Sequence, residues 1–374
     1  MIVKNKKKIL IITDFYKPHI SGITTYISSL TNVLAKNNYQ ITILTGKYSE
    51  ELSDIEKGKN LKIIRAKPLF KFSRGFYSFD LIKKYIAERE NHDYINIHYP
   101  LTEIFPLIFF IKKKLILNYH CLPEYKSIFL KFIGLYFYFF GFLSIFFSNR
   151  ISIFCEDYFY SFFAHNFFRK KVKIIPPFVN NIPKIKNDAP KRNNNRLIIG
   201  FLGRVCEEKG IEILIEASMI LEKRGINHSV NIAGDIKDGR FANYVKKIQK
   251  KTKNYSNINF IGKLKESEKK GFFSSLHVLV LPSVNSFEAF GIVQLEAMMH
   301  GVPVIASDLK GVRIPVKFTK NGYIFKNENS SELADCIIKI NNSKYLFNKK
   351  IVQNRCLLHF NEKEFTKKSL SLFN

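Results

Sequence analysis

Short apolar runs, each closed by a polar loop and spaced by stretches of helical periodicity, set the strongest limit on how this chain can fold. Residues 9–13, 41–44, 61–64, 94–98 and 115–118 are runs of this kind. Between them, as in residues 22–36, apolar side chains recur at three- and four-residue intervals, the spacing of one helix face. Strand alternating with helix predicts a mostly parallel sheet covered on both faces, so the fold class is α/β. The pattern fails over residues 181–196, where Asn, Pro, Lys and Arg leave little to bury, and this stretch reads as a linker. It resumes at residues 197–202, 229–233, 257–261 and 278–281. Two Rossmann-like domains are therefore expected, at 1–180 and 197–344, followed by a polar helical tail at 345–374. On such sheets ligands bind beyond the carboxyl ends of the strands.

A length of 374 residues suits two cores rather than one, and a hydrophobic content of 46% can fill both. The net charge of +29 points to an anionic partner: nucleic acid, phospholipid or a phosphorylated substrate. Cys121, Cys155, Cys206, Cys336 and Cys356 are scattered and never form a CxxC pair. That predicts a reducing compartment, with neither a disulfide framework nor a zinc site. The lysines before Ile9 mimic a signal peptide, but the apolar run ends at Asp14, too short for one. It reads as a first buried strand.

The chemistry concentrates after the run at 278–281. Pro282 stops that run, a polar loop carries Glu288, and Ile292, Leu295, Ala297 and Met298 then follow helical spacing up to Gly301 and Pro303. Gly291 lets the backbone turn tightly and come close to a ligand. The helix N-terminus offers unpaired N–H groups at its first residues, Ile292 among them, and a positive dipole end suited to phosphate. Glu296, expected two turns inside the helix, can accept hydrogen bonds from a ribose diol. After the strand at 197–202, Gly203 permits a turn, Arg204 can grip two phosphate oxygens, and Lys209 adds a point charge. In outline this is a sugar-nucleotide site.

These residues resemble the retaining GT-B glycosyltransferases of family four. Glu288 and Glu296, with Phe290-Gly291 between them and Gly301-Val302-Pro303-Val304-Ile305-Ala306-Ser307 behind, look like that family's paired-glutamate motif. Gly203-Arg204 and Lys209-Gly210 resemble its phosphate-binding signature. The resemblance implies that backbone near Lys263 and Leu264 holds the nucleobase, and that Phe290, Gly291 and Ile292 line the donor site. It also implies that Ser21-Gly22 touches the donor phosphate and that His120 contacts the donor sugar. The doubled glycine common in the family is reduced here to Ser21-Gly22. The tail is expected, by the same resemblance, to return to the first domain.

Transfer needs stabilisation of charge growing on the leaving diphosphate, a role open to Arg204, Lys209 and the N–H groups near Gly291. No Asp-x-Asp motif follows a strand in the expected place, so cationic side chains are expected to replace a metal, and no cofactor is implied. The resemblance implies retention of configuration. Glu288 is the candidate nucleophile for a double displacement, but its family counterpart holds sugar hydroxyls, which favours same-face attack by the acceptor. The expected partners are a nucleotide-diphosphate sugar and a lipid-linked or cell-surface glycan acceptor. The competing readings are another GT-B reaction, an epimerase or a phosphorylase, and a basic nucleic-acid binder, for which no recognition motif is visible.

Residues 132–149 form an uncharged run dense in Phe, Tyr, Ile and Leu. Three readings compete for it: a buried helix of the first domain, an interfacial contact, and a membrane span, the last disfavoured by its glycines and flanking topology. Lys112, Lys113, Lys114 and the basic run 169–173 would suit anionic headgroups. The expected location is cytoplasmic, peripheral on the inner face of the plasma membrane.

Overall fold

The run at 9–13 becomes β1 (Lys8–Thr13), and every residue after Lys8 in it is buried. Helix α1 (Gly22–Lys36) follows, and Ser21 and Thr24 cap its first turn reciprocally. The computed structural model describes residues 6–72, 75–122, 128–179, 182–185 and 196–374. Most of the expected linker, residues 186–195 included, lies outside them. Contacts divide the chain into two units, Met1–Pro177 with Lys363–Asn374, and Phe178–Glu362.

In the first unit the chain continues through β2 (Gln40–Gly46), β3 (Ile55–Lys57), β4 (Leu61–Ala66), β5 (Phe70–Phe72), β6 (Gly75–Tyr77) and α2 (Phe79–Glu88). Then come β7 (Tyr94–Tyr99), α3 (Ile104–Phe109), β8 (Lys114–Tyr119), α4 (Ile128–Phe147), β9 (Arg150–Ile153), α5 (Glu156–Phe159) and β10 (Val172–Ile174). The main sheet runs β10-β9-β8-β7-β1-β2-β4-β3, parallel except for β3, which pairs antiparallel with β4. β7 is buried at every position, as a central strand covered on both faces should be. β1 and β7 are neighbours from which the chain spreads in opposite directions, so the loops after them form the switch point of this sheet.

The second unit holds β11 (Leu197–Leu202), α6 (Ile211–Lys223), β12 (His228–Ala233), α7 (Ala242–Thr252), β13 (Ile258–Gly262), α8 (Glu266–Ser275) and β14 (Val278–Leu281). It continues with α9 (Ile292–Met299), β15 (Val304–Ser307), α10 (Ile314–Thr319), β16 (Gly322–Phe325), α11 (Ser330–Asn342) and α12 (Lys349–His359). Its sheet, β13-β12-β11-β14-β15-β16, is parallel throughout, with the switch point between β11 and β14. The core beneath it is built from Ile199, Phe201, Leu214, Val230, Val280 and Phe325, among others.

The expected returning tail begins later than residue 345. Helix α12 packs on α9 within the second unit, where Gln353 donates to the Met299 carbonyl at 2.7 Å. Only α13 (Glu362–Leu370) and the last residues join the first unit. There Phe365 meets Tyr26 edge-on, and Phe373 packs against Tyr39 and Tyr94. Arg150 and Lys173 close the end by donating to the Ser371 carbonyl.

Candidate active site

At the β11/β14 switch point two loops are drawn together by glycine. Gly210 sits at φ 63°, and a Cβ there would lie 2.0 Å from the Pro282 carbonyl oxygen, so only glycine lets the loop after β11 lie on the loop after β14. The Val284 amide donates to the Glu208 carbonyl at 2.9 Å across the same seam. Gly291, at φ 77°, ends the second loop and opens α9, and a Cβ on it would meet Leu281 Cδ2 at 2.3 Å. The side chain of Phe290 is buried against Phe360, so what Phe290 can offer a ligand is backbone.

Ion pairs formed by three cations line this region. Arg204 donates to Glu208 at 2.9 Å, Lys209 contacts Glu288, and Lys269 of α8 reaches Glu296 at 3.2 Å while also meeting Glu266 at 2.9 Å. Each expected phosphate-binding cation and each motif glutamate is thus held by a counter-charge already on the protein. Burial works against the charge on Lys269, but Glu296 and Glu266 outweigh it and hold the ammonium above its usual range. Burial pushes the Cys206 thiol up to about 12, which keeps it protonated and poorly nucleophilic. Glu296 stands on the second turn of α9, closer to the helix N-terminus than its expected depth of two turns.

The strand ends on the other side of β11 are tied in series. Gly203 donates to Ala233 at 3.0 Å and Gly234 to Gly262 at 2.9 Å, which sets exposed Lys263 and half-buried Leu264 just beyond β13.

In the first unit, His120 follows β8 and is buried with His98 of β7. The rings stack at 5.1 Å between centroids, and His98 Nδ1 lies 2.8 Å from His120 Nε2. The tautomers follow from the surrounding amides. Asn96 donates its Nδ2 to the Ile116 carbonyl at 3.1 Å, which turns its Oδ1 toward His98 Nε2 at 3.2 Å. Asn118 Nδ2 faces the same His98 nitrogen at 3.4 Å, but the shorter contact to Asn96 Oδ1 favours the proton on His98 Nε2, so that His98 Nδ1 accepts and His120 Nε2 donates. That leaves His120 Nδ1 as a bare acceptor, buried and without a partner. Burial lowers the His120 pKa to about 3 and that of His98 well below its usual value, so both rings are neutral at physiological pH. Gly22 opens α1, and Tyr26 of that helix abuts His120 edge-on at 5.3 Å.

The switch point of the first sheet carries two carboxyl groups that stand far apart along the chain. Asp14 follows β1, and Glu103 caps α3 and accepts the Ser78 amide at 2.6 Å. Burial raises Asp14 to about 7, while burial and the Asp14 charge raise Glu103 to about 9. Asp14 Oδ1 and Glu103 Oε2 are buried and unpartnered.

The second unit therefore brings together Gly203, Arg204, Lys209, Glu288, Phe290, Gly291, Ile292 and Glu296 around one switch point, with Lys263 and Leu264 further along the same sheet edge. Gly22 and His120 lie in the first unit. Sequence reasoning missed Lys269, whose only signal is its i,i+3 spacing from Glu266. His98 reaches His120 only through the strand register that sets His98 beside Asn118, which no local pattern encodes. Among the described residues, no group of three or more His, Cys, Asp or Glu side chains could hold a metal ion.

Comparison with known proteins covers both units. Residues 183–355 match the family model described as glycosyl transferases group 1, and residues 20–181 match that described as glycosyltransferase family 4. An uncharacterised glycosyltransferase of Methanocaldococcus jannaschii is 28% identical over 366 residues, 96% of this chain and 93% of that protein. The poly(ribitol-phosphate) alpha-N-acetylglucosaminyltransferase of Staphylococcus aureus is 28% identical over 202 residues, 52% of this chain but only 39% of that enzyme's length. Among solved structures, a sucrose-phosphate synthase from Thermosynechococcus elongatus superposes with a TM-score of 0.79 at 18% identity, covering 98% of each chain. Anabaena HepE in complex with UDP and glucose gives 0.72 at 15% identity, over 98% of this chain and 99% of that one.

Proposed function

Because the chain belongs to the GT-B glycosyltransferases of the family-four type, we propose that it moves a hexosyl group from a nucleotide-diphosphate sugar to a lipid-linked or cell-surface glycan acceptor, with retention and without a metal ion. The observation that carries this reading is the β11/β14 switch point. Two cations, Arg204 and Lys209, and two glutamates, Glu288 and Glu296, lie there with the N-terminus of α9. Arg204 and Lys209 exchange Glu208 and Glu288 for the donor diphosphate, and charge growing on the leaving group strengthens those contacts toward the transition state. Glu288, released from Lys209, is free to hold sugar hydroxyls, and Glu296 accepts from the ribose diol. His120 Nδ1, a bare acceptor in a neutral ring, suits a hydroxyl donor on the transferred sugar. The nucleotide complex of HepE and the polymer acceptor named for the S. aureus relative support a UDP-sugar donor and a surface-glycan acceptor. The enzyme then works at the inner face of the plasma membrane.

The test is a thermal-shift screen of UDP-, GDP- and ADP-sugars, followed by anomer assignment of the product by NMR. A donor at a hundred times its Kd should stabilise the protein by about 2.7 kcal/mol. Product of inverted configuration would refute retention, and loss of turnover in EDTA with rescue by Mg2+ would refute the metal-free step. Arg204→Ala should lower kcat more than it raises KM.

A further inference from the structure

Helix α4 is apolar on both sides, and the fold uses only one. Phe137, Gly141, Ser144, Ile145 and Ser148 form a buried stripe along the helix and just past its end. Phe132, Leu135, Phe139 and Phe146 form the opposite stripe and are 73%, 62%, 53% and 55% exposed. A surface helix of a water-soluble domain ordinarily turns charge outward along such a stripe. The apolar surface continues onto α3, where Phe105 contacts Phe140 at 4.6 Å and Phe109 is exposed. It continues again to the 163–171 segment, where Phe168 packs on Phe142 and Phe146. Contiguous exposed apolar surface of this kind marks an interaction site.

The border of the patch identifies the partner. α3, α4 and the 163–171 segment contain no Asp or Glu, while Lys131, Arg169 and Lys170 are exposed along them and Lys112 and Lys113 follow α3. The Lys171 ammonium lies over the Phe146 and Phe168 rings at 5.9 and 5.5 Å and donates to the Phe146 carbonyl at 2.7 Å, which places a cation at the border of the aromatic patch. Among the described residues only Lys112 has a nearby carboxylate, Glu90 at 3.5 Å. A cavity of about 280 Å3 opens among Thr102, Phe132, Ile133, Tyr136 and Phe137, next to the exposed stripe. Among the described residues no helix is long and apolar enough to cross a membrane.

We propose that the α3–α4 face lies in the interface of an anionic phospholipid bilayer, its aromatic stripe among the upper acyl chains, its lysines at headgroup level, and its cavity occupied by one hydrocarbon chain. An exposed apolar stripe with a cationic rim and no acid of its own fits that surface by charge complementarity. The inference deepens the functional reading, since an enzyme seated this way meets a lipid-linked acceptor where it resides, but the two fail separately.

The chain contains no tryptophan, so Phe139→Trp gives a single reporter on the exposed stripe. Its emission should shift to the blue with phosphatidylglycerol vesicles and be quenched by lipids brominated on the acyl chain. Neither change should appear with phosphatidylcholine vesicles, nor for a control reporter at Phe318→Trp, an exposed position of the second unit. Lys113, Lys131 and Lys170 changed together to Ser should weaken vesicle partitioning on the order of 100-fold, at about fivefold per charge. Unchanged emission with both lipids, equal response to both, or equal quenching of the control reporter would overturn the proposal. Leu135→Trp repeats the test should the first variant misfold. A chain that ignores vesicles but is stabilised by a sugar nucleotide refutes only the membrane face, and the converse refutes only the transferase reading.

Discussion

Replacing His98 with Phe tests the relay that fixes His120. Phenylalanine keeps the ring volume and the 5.1 Å stack but offers no nitrogen to accept the His120 Nε2 proton. Asn96 Oδ1 loses its donor in the same step. Two buried polar groups left unpaired cost about 1–3 kcal/mol each, a large share of a net stability on the order of 5–15 kcal/mol. His120 can relieve part of this by moving its proton to Nδ1, which turns the open acceptor into a donor. Transfer should then fall by about 10–100-fold in kcat/KM, the equivalent of one misdirected hydrogen bond. The pH dependence separates this account from simple damage to packing. His98 is held neutral in the fold, with its pKa well below 6.5. Below about pH 6.5 the unfolded chain takes up a proton there that the folded chain does not, so each unit of acidification costs the wild type about 1.4 kcal/mol at this site. The variant lacks that group. Its deficit in denaturation free energy should therefore narrow by about 2 kcal/mol between about pH 6.5 and pH 5. A gap that stays constant with pH would refute the buried neutral assignment, and unchanged kcat/KM would refute the role of the relay.

Other perturbations probe the rest of the frame. Glu103→Gln removes a carboxyl group whose pKa is raised to about 9, so the folded state holds a proton that the unfolded state has lost above pH 4.5. The variant should gain on wild type by about 1.4 kcal/mol per pH unit as pH rises from about 5 to about 7, and parallel denaturation profiles would show that Glu103 ionises normally. Glu296→Ala should weaken nucleotide binding by about 1–3 kcal/mol in calorimetry and leave Lys269 with Glu266 alone, and unchanged affinity would remove Glu296 from the ribose. Gly291→Ala forces a side chain into a φ of 77° and against Leu281, so melting should show a loss of at least about 1–3 kcal/mol, and a variant of full stability would show that the turn relaxes freely.

The pH terms oppose one another in a way that bears on how the protein responds to acid. Between about pH 4.5 and 6.5 the two neutral histidines make the fold weaken as pH falls, while the raised carboxyl groups at Asp14 and Glu103 make it weaken as pH rises. Burial also lowers His92, His165, His228 and His300, which add to the histidine side, so single substitutions are needed to isolate either contribution.

Local sequence determined the elements and the chemistry of the second unit. An apolar run stopped by Pro282, a glycine before a helix, and two glutamates at fixed spacing specify strand, turn and helix through backbone sterics and periodicity alone, because the residues of that motif lie close along the chain. The α/β class follows from the same short-range rules. Tertiary structure decided what depends on contacts across long separations. Lys269 meets Glu296 only because α8 and α9 pack side by side, and His98 orders His120 only because β7 and β8 are parallel and in register. Asp14 and Glu103, far apart in sequence, become a mutually repelling pair because their strands meet at the switch point of the first sheet. The aromatic run of α4 carries apolar side chains on both faces, so composition could not say which one is buried. The small residues Gly141 and Ser144 settle it: Tyr99 fills the space where a Cβ on Gly141 would stand, which seats that face on the sheet and leaves the phenylalanine stripe outside.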